Sequence, residues 1–177
     1  MPEPLTRVLN FISGPCGGKS TVKAGTFFHL KINGFRAAQV EEYATERSVC
    51  QDWETLADQR AVTWEQASRL KRFLGHVDWI LTDSPLLLGC IYGQGEFARP
   101  EFHKEVVALF DSYENVNVWL DRPAGSYQTY GRHHSETEAL AVDEKLLALM
   151  GDRIHFRTTA DENTPQRVVK FLQERYK

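Results

Sequence analysis

Apolar and polar positions alternate along this chain with two different periods. Short runs rich in β-branched and aromatic residues fall at Val8 to Ile12 (VLNFI), Ala37 to Val40 (AAQV), Trp79 to Thr82 (WILT), Val116 to Leu120 (VNVWL) and Ile154 to Phe156, and each reads as a strand. Between them lie stretches with helical spacing: Lys19 to Ile32, part of Thr45 to Asp58, Thr63 to Leu74, Phe102 to Tyr113, a helix running to about Met150, and Pro165 to Tyr176. Leu86 to Tyr92 adds a short one. Gly34 and Gly75 stand just past two of these helices, while Thr63 with Gln66 and Ser135 with Glu138 have capping-box spacing. Strand and helix alternating from end to end predict an α/β fold: a mostly parallel sheet with helices on both faces, in one domain over 1–177. Two segments break the pattern. Gly93 to Pro100 (GQGEFARP) has the make-up of a mobile flap, and Gly125 to Glu138 (GSYQTYGRHHSETE) that of a small lid over 125–135, with Gly131 as a hinge.

The turn joining the first strand to the first helix is SGPCGGKST, Ser13 to Thr21. It follows the GxxxxGK[ST] pattern of a phosphate-binding loop, except that Ser13 stands where the first glycine belongs. Glycines let backbone N–H groups approach a polyphosphate with no Cβ in the way, and a helix N-terminus adds partial positive charge at the same spot. Lys19 is placed to reach the β- and γ-phosphates of ATP, and Ser20 to offer its hydroxyl to Mg²⁺. Thr21 is expected to be a first-turn neighbour rather than a ligand. A small Ser13 followed by Gly14 is expected to make the turn that the missing glycine would make. The competing expectation is a glycine-rich turn that binds nothing.

Several other residues carry candidate chemistry. Asp83 ends the third strand, at the sheet edge where ligands bind in open α/β folds. It is a candidate Mg²⁺ ligand or proton acceptor, and alternatively a helix N-cap ahead of Pro85. Glu41 and Glu42 end the second strand in the same layer. Alternation sends one of them into the cleft, and Glu42, at the strand tip, is preferred as general base toward an acceptor hydroxyl. Arg122 and Arg132 bracket the lid-like segment, Arg122 as a candidate ATP contact and Arg132 as a lid arginine stabilising the transferring phosphoryl group. His133 and His134 are adjacent and so do not share a helix face, which favours surface or phosphate-side contacts over a metal site. Arg60, Arg69, Lys71 and Arg72 are either a solvated helix face or contacts to an acceptor phosphate or DNA backbone. Of the four tryptophans, Trp64, Trp79 and Trp119 suit a core, whereas Trp53, with Tyr43, suits stacking on a base.

Composition narrows the classes. At 177 residues, 42% hydrophobic and 25% charged, the chain is an ordinary globular one. A net charge of −3 and a pI of about 6.1 argue against a broadly basic nucleic-acid surface, though not against a local basic cleft. Cys16, Cys50 and Cys90 are scattered and odd in number, which suggests neither a disulfide framework nor a zinc site; Cys16, in the loop, is either a small residue that fits or an alkylation target. With no membrane-length apolar run and no signal-like N-terminus, a cytoplasmic protein is expected.

SGPCGGKST, VEEYA, DWILTDSPLLL and SYQTYGRHHSETEA, in this order from Val8 to about Met150, resemble the small P-loop kinases common in bacteriophages, some of them related to thymidylate kinases. Among them they resemble the 5-hydroxymethyluracil DNA kinases, and nicotinamide riboside kinase domains share the Glu-Tyr-Ala after the second strand. The resemblance implies a P-loop NTPase fold whose five-stranded parallel sheet sets the loop strand beside the Asp83 strand. It implies a phosphate loop over Gly14, Pro15, Cys16, Gly17, Gly18, Lys19, Ser20 and Thr21, a Walker-B-like acid at Asp83, a lid arginine at Arg132, ATP and Mg²⁺ as requirements, and phage DNA hypermodification in an infected bacterial host. Two departures stand out: Ser13, and Asp83-Ser84 in place of the Asp-Arg pair usual in nucleoside monophosphate kinases. The second favours a hydroxyl-bearing acceptor over a phosphorylated one. A free nucleoside or nucleotide is the alternative acceptor, and an ATPase switch without phosphotransfer the alternative class. The sequence leaves the oligomeric state open.

Overall fold

Strand β1 (Arg7–Ile12) is buried on both faces, and that dictates the layering. Val8 and Ile12 point to one side of the sheet and Leu9 and Phe11 to the other, each at most 1% exposed. The computed structural model describes residues 5–123 and 135–176. Together with β2 (Ala37–Val40), β3 (Trp79–Thr82), β4 (Asn115–Asp121) and β5 (Phe156–Thr159), β1 forms a five-stranded parallel sheet in the order β2-β3-β1-β4-β5. The connecting helices are α1 (Lys19–Ile32), α2 (Tyr43–Val49), α3 (Trp53–Ala57), α4 (Gln59–Lys71), α5 (Leu88–Tyr92), α6 (Pro100–Asp111), α7 (Glu136–Met150) and α8 (Thr164–Arg175).

Two apolar cores follow from the alternation. Leu9, Phe11, Leu81 and Val118 pack with Val22 and Leu30 of α1 and with Val168 and Leu172 of α8. On the opposite face Val8, Ile12, Ile80 and Trp119 pack with Leu70 of α4, Val106 and Phe110 of α6, and Leu146 and Met150 of α7. Because α1 leaves β1 on one face and the later crossovers cover the other, the C-terminal ends of β1, β3 and β4 open as a crevice. No described helix is long and apolar enough to cross a membrane.

Some element bounds differ from the pattern. Thr63 is not an N-cap: α4 begins earlier because the Asp58 carboxylate accepts from the Ala61 N–H at 2.9 Å, and Thr63 is buried within the helix. The last strand begins at Phe156 instead of ending there. It is an edge strand whose residues alternate half-buried and exposed, so FRTT carries too few apolar residues to register as a run. Its Phe156 ring stacks on Phe171 of α8 at 4.9 Å. Gly95–Ala98, within the expected flap, forms a 3-10 turn, and Phe97 lies 5.1 Å edge-on from Phe102. Ser135 and Glu138 do form the capping box of α7.

A polar cross-link sits inside the α4–α7 layer. Asn10, 1% exposed, donates from Nδ2 to the side-chain oxygens of Asn115 and Asn117, both at 2.9 Å, tying the loop-bearing strand to β4. We expect Asn10→Ala to cost about 1–3 kcal/mol, because it leaves buried acceptors unsatisfied. Urea unfolding checks this: the midpoint falls while the denaturant slope stays unchanged.

Candidate functional site

The loop from β1 into α1 departs from the glycine pattern by an exchange of space. Ser13 is 2% exposed, and its hydroxyl donates to the Gly14 carbonyl at 3.2 Å. A Cβ added at Gly17 would lie 2.0 Å from Ser13 Oγ and 2.6 Å from Ser13 Cβ. Ser13 thus fills room that Gly17 leaves empty. Gly18, the residue preceding α1, is left-handed (φ 81°), as is Cys16 (φ 62°), a conformation that a side chain disfavours. Among the described residues no side chain caps α1, and its first turn carries no acid. The positive end of a 14-residue helix therefore faces the loop with neither a capping side chain nor an acid of its own first turn.

Lys19 arches back over this loop, its ammonium donating to the carbonyls of Ser13 and Gly14 at 2.9 Å each. Two of three N–H donors are engaged, leaving one for an anion. Burial pulls Lys19 below its ordinary pKa, against the carboxylates of Glu42, Asp83 and Asp143, which favour the charged form, and with the help of Arg122.

Strand register builds the next part. Val40 pairs with Thr82, so the following residues, Glu41 and Asp83, leave the sheet side by side. Ser20 Oγ donates to Asp83 Oδ2 at 2.5 Å, and Lys23 Nζ donates to Asp83 Oδ1 and Glu41 Oε2, both at 2.8 Å. Burial opposes the charge on Asp83, but the hydrogen bonds from Lys23 and Ser20 prevail and hold its carboxyl below the usual range. Gln66 of α4 pins the β2 corner, accepting from the Tyr43 N–H at 2.9 Å and donating to the Glu41 carbonyl at 3.3 Å. Glu42 accepts from Thr45 Oγ1 at 2.5 Å. Ser20 and Asp83 set a hydroxyl and a carboxylate side by side, hard oxygen donors of the kind that would suit Mg²⁺. Among the described residues no group of three or more His, Cys, Asp or Glu side chains is arranged around a metal position.

The opposite wall comes from β4 and α7. Asp143 accepts from the Gly14 N–H and, at 2.8 Å, from Arg122, whose guanidinium also donates to the Pro15 carbonyl. A Cβ at Gly14 would meet the Ala139 carbonyl and Asp143 Oδ1, both at 2.7 Å, so α7 lies directly on the loop. Partial burial and the charges of Glu42 and Asp143 push the Tyr92 hydroxyl up to about 12, which places Tyr92 in the same cleft.

The structure thus brings together Gly14, Pro15, Gly17, Gly18, Lys19, Ser20, Asp83, Glu42 and Arg122. Thr21 lies in the first turn of α1. Arg132, Tyr127, Tyr130, Gly131, His133 and His134 lie outside the described residues, as does the lid-like segment apart from Ser135. The α4 arginines are ion-paired: Arg60 with Glu105, Arg69 with Glu46 and Glu65, and Arg72 with Glu65. Tyr43 sits beneath the guanidinium groups of Arg69 and Arg47, at 4.6 and 5.2 Å. Trp53 is 56% exposed, whereas Trp79 and Trp119 are core residues. Lys23, Tyr92 and Asp143 carry no motif in the sequence, and the capping-box spacing of Gln66 with Thr63 points to a role it does not play. Of the first three, Lys23 has a local signal, a cation one turn after Lys19 on the core-facing stripe beside Val22 and Thr26.

No protein-family model and no curated protein sequence matches the chain. Among solved structures it is similar to the thymidylate kinase of Ehrlichia chaffeensis (14% identity, TM-score 0.65), with 96% of this chain and 100% of that one covered. It is also similar to NadR in complex with NAD and AMP-PNP (13% identity, TM-score 0.64), where 96% of this chain covers 49% of that one. A third likeness is to the Mycobacterium tuberculosis APS kinase CysC in complex with AMPPNP and APS (15% identity, TM-score 0.53, 96% and 99% covered). The fold is that of a P-loop NTPase, and these neighbours are of the P-loop kinase type.

Gly17→Ala should cost about 1–3 kcal/mol through overpacking and weaken binding of an ATP analogue. Ser13→Gly in the same chain should restore both, as read by thermal melts and nucleotide titration. The Asp83 carboxyl, depressed in the folded state, stabilises the fold above pH of about 4, the unfolded carboxyl value; that contribution disappears as pH falls through the lower folded value. In urea unfolding from pH 7 to 3, Asp83→Asn should lose this part of the acid limb.

Proposed function

We propose that this chain is an ATP- and Mg²⁺-dependent phosphotransferase that moves a γ-phosphoryl group to a hydroxyl acceptor. The observation that carries it is the contact of Ser20 with Asp83 directly beneath a glycine loop crossed by Lys19. The open end of α1 and the free donor of Lys19 favour a polyphosphate, and Ser20 presents its hydroxyl where Asp83 fixes it. Mg²⁺, when bound, neutralises charge on the β- and γ-phosphate oxygens. Arg122 holds the loop through Pro15 and Asp143, and Arg132 is the arginine assigned to the transferring group.

Asp83 has both oxygens engaged and a depressed pKa, which suits holding the metal shell rather than taking a proton. Glu42, a carboxylate near Lys19 at the tip of β2, is the general base in this reading. The acceptor named by the sequence resemblance is the 5-hydroxymethyl group of 5-hydroxymethyluracil in phage DNA. The paired arginines of α4 and the acidic tip of β2 support a second acceptor, a free nucleoside.

Transfer of labelled γ-phosphate from ATP with Mg²⁺ tests the reading. It is offered to duplex DNA containing 5-hydroxymethyluracil, matched thymine DNA, free nucleosides and deoxynucleoside monophosphates. Label on the hydroxymethyl DNA alone makes this a DNA kinase; label on a free nucleoside or nucleotide makes it a metabolic one. ATP hydrolysis indifferent to every acceptor makes it an ATPase switch and overturns phosphotransfer. Lys19→Ala should keep the fold and lower transfer about 100- to 1000-fold. Full activity in that folded variant would sink the phosphate-loop assignment.

A further inference from the structure

Lys23 belongs to no part of the phosphate-loop pattern, yet its side chain is 3% exposed and its ammonium ends between two carboxylates. Asp83, 8% exposed, faces the loop through Ser20; Glu41, 72% exposed, faces the cleft rim. Each lies 2.8 Å from the same nitrogen. The adjoining strand tips would set two carboxylates side by side with only water between them. Such a pair, with the Ser20 hydroxyl beside it, is the all-oxygen donor set that gathers a hard divalent cation. Lys23 brings one fixed positive charge to that place and leaves one charge of the acid pair unbalanced, on the acceptor side. The unbalanced charge is carried by Glu41, whose carboxylate accepts from Lys23.

We propose that Lys23 is a positioning residue: a built-in ammonium that keeps a second divalent cation out from between Asp83 and Glu41 and presents Glu41 to the acceptor. The role of Glu41 toward an acceptor rests on the phosphotransfer reading; the exclusion of a cation does not. Asp83 is thereby reserved for Ser20. Glu41 is held where it accepts a hydrogen bond from a neutral, hydroxyl-bearing acceptor and repels a phosphomonoester.

The first experiment is a nucleotide-free Mn²⁺ titration followed by electron paramagnetic resonance. Lys23→Met should bind Mn²⁺ at least tenfold more tightly than wild type, Lys23→Arg should behave as wild type, and Lys23→Met with Glu41→Gln should lose the gain. No gain in a folded Lys23→Met protein, or a gain that survives in the double variant, overturns the proposal. Glu41→Gln, at an exposed position, tests the second half whether or not Lys23→Met folds. With the acceptor that takes label in the transfer assay, it should raise the acceptor KM at least tenfold and leave the KM for ATP within twofold. An unchanged acceptor KM, or both constants rising together, overturns it. Failure of wild type to bind AMP-PNP would instead overturn the phosphotransfer reading and leave the Mn²⁺ result standing.

Discussion

The buried contact of Lys23 with Asp83 joins helix α1 to strand β3 at the level of the phosphate loop, and the geometry of the cleft depends on it. Lys23 leans from the helix that begins at the loop; Asp83 stands on the strand beside β1. Their attraction has to offset the desolvation of two charges, so the pair adds little net stability compared with an apolar one, while loss of either partner alone costs roughly 3–5 kcal/mol. Its effect lies in specification. With the pair formed, Ser20 has one acceptor in place and Glu41 one donor, and the tips of β2 and β3 are held in register with the start of α1.

The opposite wall is built on another principle. There the loop backbone is gripped directly: Asp143 takes the Gly14 N–H, Arg122 takes the Pro15 carbonyl, and the two side chains take each other. One wall fixes side chains that chemistry needs, and the other fixes the backbone on which they are mounted. Glu42 lies close enough to Lys19, and Tyr92 close enough to Asp143, for the charges to be felt. Away from the cleft, the arginines at α4 are paired with glutamates of α2, α4 and α6.

Much of the fold was legible because the central strands carry their own signal. VLNFI, WILT and VNVWL are apolar enough to be buried on both faces, and the glycine turn with Lys19 and Ser20 behind the first of them marks the α1 junction. The edge strand FRTT was hidden because one of its faces is wet. Thr63 misled because its spacing to Gln66 is right for a cap, while Asp58, one turn earlier, already supplies one; Gln66 serves the β2 corner instead. At the site, residues bound by local pattern were visible, Asp83 by its strand end and Ser20 by its neighbour Lys19. Lys23, Asp143 and Gln66 act across 60, 129 and 23 residues of chain, and no local periodicity encodes such partners.

Ser13 and Gly17 lie four residues apart and face each other across the loop with room for one side chain between them. In this chain the side chain is on the first position and the hydrogen atom on the second. A motif written with an obligatory glycine at the first position describes one of two ways to divide a fixed volume. What this loop keeps is the shared volume, and its letters depart from the pattern without enlarging or filling that space.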